Sequence, residues 1–257
     1  MLELLTSQGL GTRRECMNAL LHGEVHIGYA KPGGMEWSLV EDPDAAPDLE
    51  GLHLRCGMWE LPYFKELYIA LNKPMNVECS RSPSSHASVL DFFSEPFRRR
   101  NLQPVGRLDA DATGLLLLTN DGDFNHLITS PRRKLPKTYR IGIRHELTTD
   151  QKLALEAGVI LKDDPKPTAP AKIEILPDRE ADITITEGRY HQVKRMLGAV
   201  GNRVDSIHRI AIGDLKLGDL KPGEWRHLED QQFTGPQSGL ETADGRVPVA
   251  VNHCDGV

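Results

Sequence analysis

The sequence predicts an α+β fold whose main sheet is largely antiparallel. Several short segments alternate apolar and polar residues in the manner of strands with one buried face, and few helical segments lie between them. The 257 residues are 39% hydrophobic and 26% charged, which allows a packed core in one large or two modest domains. The clearest alternating segments are residues 138–143, 171–175 and 182–186.

Residues 1–62 are predicted to form a small separate module. A short first helix ends at Gly9, and a second helix stops at Gly23. Thr12 and Glu15 form a T-x-x-E capping box at the start of the second helix, in which each side chain can bond to a free backbone N–H. A short strand at residues 25–27 and a Pro- and Asp-rich loop at residues 41–50 follow.

Residues 63–233 are predicted to form the main domain. The apolar run at residues 115–119 has the length of a buried strand, and the sequence Asn-Asp-Gly at residues 120–122 indicates a turn that stops it. Residues 234–257 are rich in Gly, Pro and Asp and predict a flexible tail. The remaining elements are a strand at 67–71 and short helices at 89–93 and 151–157.

The formal net charge of −6 hides an uneven distribution. Ten Lys/Arg and four Asp/Glu lie between Arg98 and His145, and five Lys/Arg with one Asp lie between Arg189 and Arg209. Residues 1–62 hold four Lys/Arg and ten Asp/Glu. Because local charge attracts phosphates, the two basic regions favour a nucleic-acid partner. Ordinary solvated faces are the alternative interpretation.

Several classes of protein are disfavoured by composition. The cysteines at 16, 56, 79 and 254 form no C-x-x-C pair, so we expect neither a zinc site nor a disulfide framework. The longest purely aliphatic run is residues 115–118, far short of the roughly 20 apolar residues that cross a bilayer. The N-terminus lacks a basic signal-peptide region. These features predict a soluble, cytoplasmic protein with no membrane contact.

The first segment with residues suited to catalysis is GRLDADATG at residues 106–114, directly before the apolar run. It places Arg107, Asp109 and Asp111 in a tight loop. A carboxylate beside a buried strand needs a cationic or N–H partner to stay ionised, and Arg107 or a distant basic residue can supply one. A purely structural turn before a strand is the alternative.

The second segment, residues 130–140, interleaves basic residues with one aromatic, Tyr139. This pattern is typical of phosphate contacts combined with stacking on an unstacked base. A strand with a half-buried tyrosine and snorkelling lysines fits equally well. The basic residues are Arg132, Arg133, Lys134, Lys137 and Arg140.

The third segment, EGRYHQVKRML at residues 187–197, predicts an amphipathic helix. Val193, Met196 and Leu197 recur at the spacing of one apolar face. No second His or Cys lies at ligand spacing from His191, so we expect no metal there. A different face carries the cations His191, Lys194 and Arg195.

These segments stand in the order found in the RsuA-type pseudouridine synthases, and the chain resembles that family over roughly residues 67–233. The resemblance rests on GRLDADATGLLLLTNDG, ITSPR with KTYRI, and EGRYHQVKRM. It implies a pseudouridine synthase fold, with a mixed central sheet split by an active-site cleft. Separately, the helix–helix–strand order of residues 1–62 resembles an S4-like RNA-binding module, although that module normally carries a basic helix and this segment is acidic. The third motif resembles the branch that modifies small-subunit rather than large-subunit ribosomal RNA. Ala112 stands where the family commonly has threonine.

The resemblance also implies roles for individual residues. Asp109 matches the catalytic carboxylate, and Lys194 matches the basic residue that pairs with it. Tyr139 matches the active-site tyrosine that stacks on the target base, and we also expect it to be catalytic, as acceptor or relay of the C5 proton. Arg107 matches the arginine that holds the flipped nucleotide site open. We expect substrate binding from Arg107, Arg132, Arg133, Lys137, Arg189, His191 and Arg195.

We therefore expect a cofactor-free isomerase that converts one uridine of 16S ribosomal RNA to pseudouridine. Its expected partner is the RNA itself or a small-subunit assembly intermediate, and the enzyme is expected to be monomeric. Three alternatives remain: a target uridine in large-subunit ribosomal RNA, a non-catalytic assembly factor, and a metal-dependent nuclease using Asp109 and Asp111. The nuclease lacks a supporting carboxylate or histidine cluster in the sequence.

Overall fold

The computed structural model describes residues 1–44 and 46–228, and these residues form two compact units. The first unit comprises Met1–Leu67 together with Leu90–Gln103. The second comprises Tyr68–Val89 and the described chain from Pro104 onward. The predicted tail at residues 234–257 lies outside the described residues, as does the end of the predicted main domain, residues 229–233.

The helices of the described residues are short. Two 3-10 turns, Val89–Phe92 and Pro131–Arg133, accompany them. Among the described residues, no helix is both long and apolar enough to cross a bilayer. The α-helices are α1 (Leu2–Ser7), α2 (Arg13–Leu21), α3 (Glu95–Arg99), α4 (Gly122–Thr129), α5 (Thr149–Ala157) and α6 (Gln192–Ala199).

Strands make up most of the regular structure. The first nine are β1 (Val25–Lys31), β2 (Gly34–Leu39), β3 (Leu52–Cys56), β4 (Trp59–Pro62), β5 (Tyr68–Lys73), β6 (Val77–Glu78), β7 (Ala87–Ser88), β8 (Gln103–Val105) and β9 (Thr113–Thr119). The others are β10 (Lys137–Ile143), β11 (Ile160–Leu161), β12 (Asp164–Pro167), β13 (Lys172–Leu176), β14 (Glu180–Ile185), β15 (Val204–Ile212), β16 (Leu215–Lys216) and β17 (Trp225–His227).

The first unit contains an antiparallel sheet in the order β2-β1-β3-β4. Its core comes from α1, α2 and the sheet, with Leu5, Cys16 and Leu54 fully buried. The predicted capping box is confirmed: Thr12 Oγ1 accepts the Glu15 N–H at 3.2 Å, and Glu15 Oε2 accepts the Thr12 N–H at 2.6 Å. All ten Asp and Glu side chains of residues 1–62 are exposed.

Arg100 ties α3 to the rest of the first unit. Its guanidinium is buried and donates to Gln8 Oε1 at 3.2 Å and to the carbonyls of Phe64 and Lys65 at 2.8 and 2.9 Å. Because these bonds occupy the group, Arg100 contributes to the packing of the unit and is not exposed for phosphate contacts.

The second unit is built on one sheet in the order β13-β14-β10-β15-β9-β5-β17, with β8 paired to β9 and β16 to β15. Every pairing along this order is antiparallel except the one between β15 and β9. The predicted α+β class with a largely antiparallel sheet is therefore confirmed. The predicted strands at 138–143, 171–175 and 182–186 correspond to β10, β13 and β14.

The two halves of this sheet meet along a short parallel seam. Only two residue pairs, His208 with Thr113 and Arg209 with Gly114, join β15 to β9. Gly114 has a φ of +101°, and a Cβ placed there would lie 2.3 Å from the carbonyl oxygen of Arg209. Only glycine can adopt this backbone conformation and permit so close an approach.

Two sequence predictions were incomplete. Strand β15, which lies at the middle of the sheet, was missed because its buried positions include Arg209 rather than a run of apolar residues. The apolar strand ends at Thr119 and the chain turns at Asn120 and Asp121 as predicted, but helix α4, which begins at Gly122, was not predicted. The Asp121 carboxylate caps that helix by accepting the N–H groups of Asp123 and Phe124 at 2.9 and 3.1 Å.

Replacing Gly114 by alanine should destabilise the second unit by roughly 1 kcal/mol or more, because the new Cβ strains the backbone and collides with β15. Urea-induced unfolding measures the change. Gly198→Ala is the matched control, since Gly198 lies in α6 and an added methyl group would meet nothing within 4 Å. That variant should equal or slightly exceed the wild-type free energy of unfolding. Equal stability of the two variants would contradict the role assigned to Gly114.

Candidate active site

The loop that carries Asp109 connects β8 to β9 and is hydrogen-bonded to the segment after β5. The Asn76 N–H donates to the carbonyl of Ala110 at 2.8 Å, and the Leu108 N–H donates to Cys79 Sγ at 3.4 Å. Within the loop, the Ala112 N–H donates to the carbonyl of Asp109 at 3.1 Å. These bonds fix the backbone on both sides of the carboxylate. Ala112 is itself buried, so its side chain packs inside the loop.

Lys73, at the end of β5, makes further hydrogen bonds to the loop and to the segment after β5. Its side chain is completely buried, and its ammonium donates to the carbonyls of Pro74, Val77 and Ala110 at 2.9, 2.8 and 3.4 Å. Burial lowers the pKa of Lys73, and nearby acidic groups, Asp109 among them, oppose that shift. This role was not predicted from the sequence, although a lysine that ends an apolar strand directly before a proline was the available signal.

Asp109 itself lies between two basic side chains from α6 and its N-terminal flank. Asp109 Oδ2 is 3.4 Å from His191 Nε2 and 3.6 Å from Lys194 Nζ. The carboxylate is 37% exposed, so it is open to solvent while lying beside the Lys194 ammonium and the His191 imidazole. The structure thus brings together three of the predicted site residues.

Lys194 makes its shorter contacts to a different carboxylate. Its ammonium is 2.7 Å from both oxygens of Asp111, compared with 3.6 Å to Asp109. The hydrogen bond from Lys194 lowers the pKa of Asp111. Asp111 is the more exposed of the two carboxylates, at 63%. One ammonium is therefore shared by both acidic groups of the loop.

Helix α6 presents these side chains as its periodicity predicts. Val193, Met196 and Leu197 are buried on one face, which confirms the expected amphipathic helix. His191 precedes the helix in a left-handed conformation, with φ of 47°. Its ring stacks on Tyr190, with a centroid separation of 3.8 Å and an interplanar angle of 20°. This backbone turn places the imidazole between Tyr190 and Asp109.

Tyr139 is connected to the parallel pairing of β15 with β9 through its own strand partner on β15. It lies on β10 at a register irregularity and pairs with Arg209 of β15, the residue that also pairs with Gly114. The guanidinium of Arg209 lies 6.0 Å from the centroid of the Tyr139 ring. Arg209 is 2% exposed and donates from Nε to the carbonyl of Leu115 at 2.7 Å. Arg209 was not among the site residues predicted from the sequence.

The other predicted binding residues have different environments. Arg107, Arg132 and Arg133 are exposed, and within the described chain Arg107 makes no hydrogen bond or ion pair. Lys137 is half-buried, and burial followed by the charge of Arg209 lowers its pKa. It donates to the carbonyl of Leu135 at 3.3 Å.

Arg189 is bonded to β12 rather than to Asp109. Its guanidinium donates to Asp164 Oδ2 at 2.9 Å and to the carbonyls of Lys166 and Pro167 at 2.8 and 2.7 Å. It also contacts Glu187 Oε2 at 3.3 Å. These bonds hold the β11–β12 hairpin, so the predicted contact of Arg189 with substrate stays a prediction. Arg195 donates to the carbonyl of Tyr190 at 3.2 Å.

Comparison with known proteins agrees with this architecture. The family described as RNA pseudouridylate synthase matches residues 67–199. The ribosomal small subunit pseudouridine synthase A of Yersinia pestis is 45% identical over 167 residues, 65% of this chain and 71% of that protein. The protein of the same name from Escherichia coli (strain K12) is 43% identical over 167 residues, 65% of this chain and 72% of that protein.

A solved structure resembles the chain over more of its length. A crystal structure of a pseudouridylate synthase aligns with a TM-score of 0.61 at 34% identity, covering 89% of this chain and 95% of the other. The fold and the site define an isomerase that modifies RNA. The chain belongs to the RNA pseudouridylate synthase family, in its RsuA-type branch, which confirms the resemblance found in the three sequence motifs.

Replacing Lys73 by methionine should destabilise the second unit by roughly 1–3 kcal/mol, because buried carbonyls of the loop then lose their donor. Urea-induced unfolding measures the loss. Lys216→Met is the matched control, since Lys216 is exposed and should tolerate the change within about 0.5 kcal/mol. A Lys73→Met protein as stable as the control would show that the ammonium does not anchor the loop.

Proposed function

We propose that this protein isomerises one uridine of small-subunit ribosomal RNA to pseudouridine, with Asp109 as the catalytic carboxylate. The observation that carries the proposal is the position of Asp109, open to solvent and within 3.4 and 3.6 Å of His191 and Lys194. The names of the relatives from Yersinia pestis and Escherichia coli favour the small subunit over the large one. The partner is then ribosomal RNA, and we propose that a monomer acts on it in the cytoplasm.

The reaction rearranges bonds without a net change in composition. The C1′–N1 bond of the target nucleotide breaks, the uracil turns, and a C1′–C5 bond forms. C5 loses its proton and N1 gains one, so no oxidant, reductant or second substrate is required. Asp109 acts on the sugar, either by attack at C1′ or by removal of a sugar proton. Both routes need a free carboxylate oxygen, which the exposed position of Asp109 provides.

Lys194 supplies positive charge beside that oxygen, and the His191 imidazole lies next to it. A cation at this distance stabilises negative charge most strongly where solvent is displaced, as it is when RNA covers the site. Because Asp111 holds the Lys194 ammonium at 2.7 Å, the cation stays near Asp109 without forming its closest contact there. The ammonium therefore stays beside the Asp109 carboxylate while a carboxylate oxygen remains available to the substrate.

The target base must leave its stack before the reaction, at a cost of a few kcal/mol. We propose that Tyr139 offsets part of this cost by stacking on the extruded uracil, with Arg209 behind it. Accessible cations on the same unit would bind the flanking phosphates. These are the exposed Arg107, Arg132 and Arg133 and the partly exposed Arg195, with Lys137 near Tyr139 on β10.

Asp109→Asn should slow pseudouridine formation by roughly 1,000-fold or more while RNA binding changes little, because the neutral amide can neither attack nor accept a proton. Pseudouridine mapping of 16S RNA and of small-subunit particles incubated with each protein measures the reaction and identifies the uridine. Asp219→Asn, at an exposed position without a hydrogen bond among the described residues, is the matched control. Turnover by the Asp109→Asn protein would remove Asp109 from its role, and an inactive wild-type protein would refute the proposed function.

Lys194→Ala should lower the maximal rate of isomerisation about 100-fold or more and change the affinity for RNA much less, because the cation acts on Asp109 in the transition state. Single-turnover kinetics at increasing enzyme concentration separates the two quantities. Lys216→Ala removes an exposed positive charge from the same unit and should leave both near wild type. A loss confined to affinity would identify Lys194 as a phosphate contact instead.

A further inference from the structure

Tyr190 differs from every other aromatic residue in the described chain because its side chain is exposed. It is 76% accessible, whereas the remaining described Phe, Trp and Tyr side chains are partly or fully buried. Exposing a ring of this size forfeits the stabilisation that its burial would give, so folding alone does not explain its position. The reaction as described above uses Tyr139 and does not involve Tyr190.

The ring is nevertheless held in a defined place. One face of Tyr190 stacks on the imidazole of His191 at 3.8 Å, and that imidazole lies 3.4 Å from Asp109. The backbone is fixed by Arg195, whose Nη1 donates to the Tyr190 carbonyl at 3.2 Å. The opposite face of the ring is turned to solvent, one ring layer away from the group that contacts the catalytic carboxylate.

Basic residues lie close to Tyr190 in the sequence, and one of them, Arg195, contacts its backbone carbonyl. Arg195 and Lys194 follow Tyr190 on α6, and the exposed Arg107 precedes Asp109 on the adjoining loop. An exposed aromatic face on a segment that also carries accessible basic side chains matches a planar ligand that carries a phosphate, which is a nucleotide. Such platforms tolerate any base, since every base offers a π-face.

We propose that Tyr190 is a stacking platform for an unpaired base next to the target uridine. Tyr139 would stack on the extruded uracil, and Tyr190 would stack on its neighbour in the chain. This second stack holds the flanking nucleotide away from the gap that the target leaves, so the uridine does not return to its helix. The inference rests on the proposed function and adds a residue that recognises RNA rather than one that performs chemistry.

The test compares Tyr190→Ala, Tyr190→Phe and Tyr190→Trp with the wild type in single-turnover isomerisation of a 16S RNA substrate whose target has been mapped. Tyr190→Ala should raise the enzyme concentration at half-maximal rate roughly 5- to 150-fold, with the maximal rate little changed. Phenylalanine and tryptophan keep a π-face and should stay within about twofold of wild type. Leu153→Ala, which removes an exposed apolar side chain on α5, is the matched control and should have no effect.

The flanking base is tested by removing it from the RNA. An abasic nucleotide on one side of the target should weaken binding to the wild type as much as Tyr190→Ala does, and the two changes together should cost no more than one. The inference would be overturned if an abasic nucleotide on either side of the target weakened binding independently of Tyr190→Ala. It would also be overturned if Tyr190→Ala left the half-maximal enzyme concentration unchanged. A fall in maximal rate alone would also overturn it, by showing that Tyr190 acts through His191 on Asp109.

The outcome for the wild type separates this inference from the proposed function. If the wild type forms no pseudouridine in any RNA or particle, the proposed function fails. If the wild type is active and Tyr190→Ala behaves like Leu153→Ala, only the stacking role fails. Thermal unfolding of each variant confirms that the ring has been removed from a folded protein, as expected for a surface position.

Discussion

The close approach of two backbones at Gly114 is the constraint on which the site depends. The parallel seam between β9 and β15 is two residue pairs long, and a side chain at position 114 would occupy the space of the Arg209 backbone. This contact sets the start of β9, and therefore the loop that ends there. It also places β10, with Tyr139, one strand further along the sheet. The loop that carries Asp109 and the strand that carries Tyr139 thus share one support.

The basic side chains around the Asp109 loop differ in burial and in the groups they contact. Lys73 is fully buried, and its ammonium binds backbone carbonyl oxygens and fixes the path of the chain. Lys194 and His191 are partly exposed and lie close to the carboxylate of Asp109. The buried Lys73 ammonium stabilises the conformation of the loop, whereas the Lys194 ammonium pairs with the carboxylates of the loop. The loop backbone is thus hydrogen-bonded in place while its acidic side chains stay accessible to solvent.

The elements that obey local rules could be predicted from the sequence. The capped helix at Thr12, the apolar strand at residues 115–119 and the amphipathic helix after His191 each follow from periodicity or capping chemistry. Strand β15 could not, because a buried Arg209 is explained only by partners on other strands. Nor could the bonds of Arg189 to the hairpin at Asp164 or the sharing of Lys194 with Asp111. Such contacts depend on residues distant in sequence, which a local pattern does not contain.

The acidic surface of residues 1–62 has a consequence for how the enzyme samples RNA. Ten exposed carboxylates against four basic residues make this segment repel polyanions over a screening distance of about 8 Å at physiological ionic strength. We therefore expect this segment to shorten encounters with RNA that lacks a target. Lowering the salt concentration strengthens both this repulsion and the attraction of the basic surface, so selectivity in the crowded cell is set by their balance.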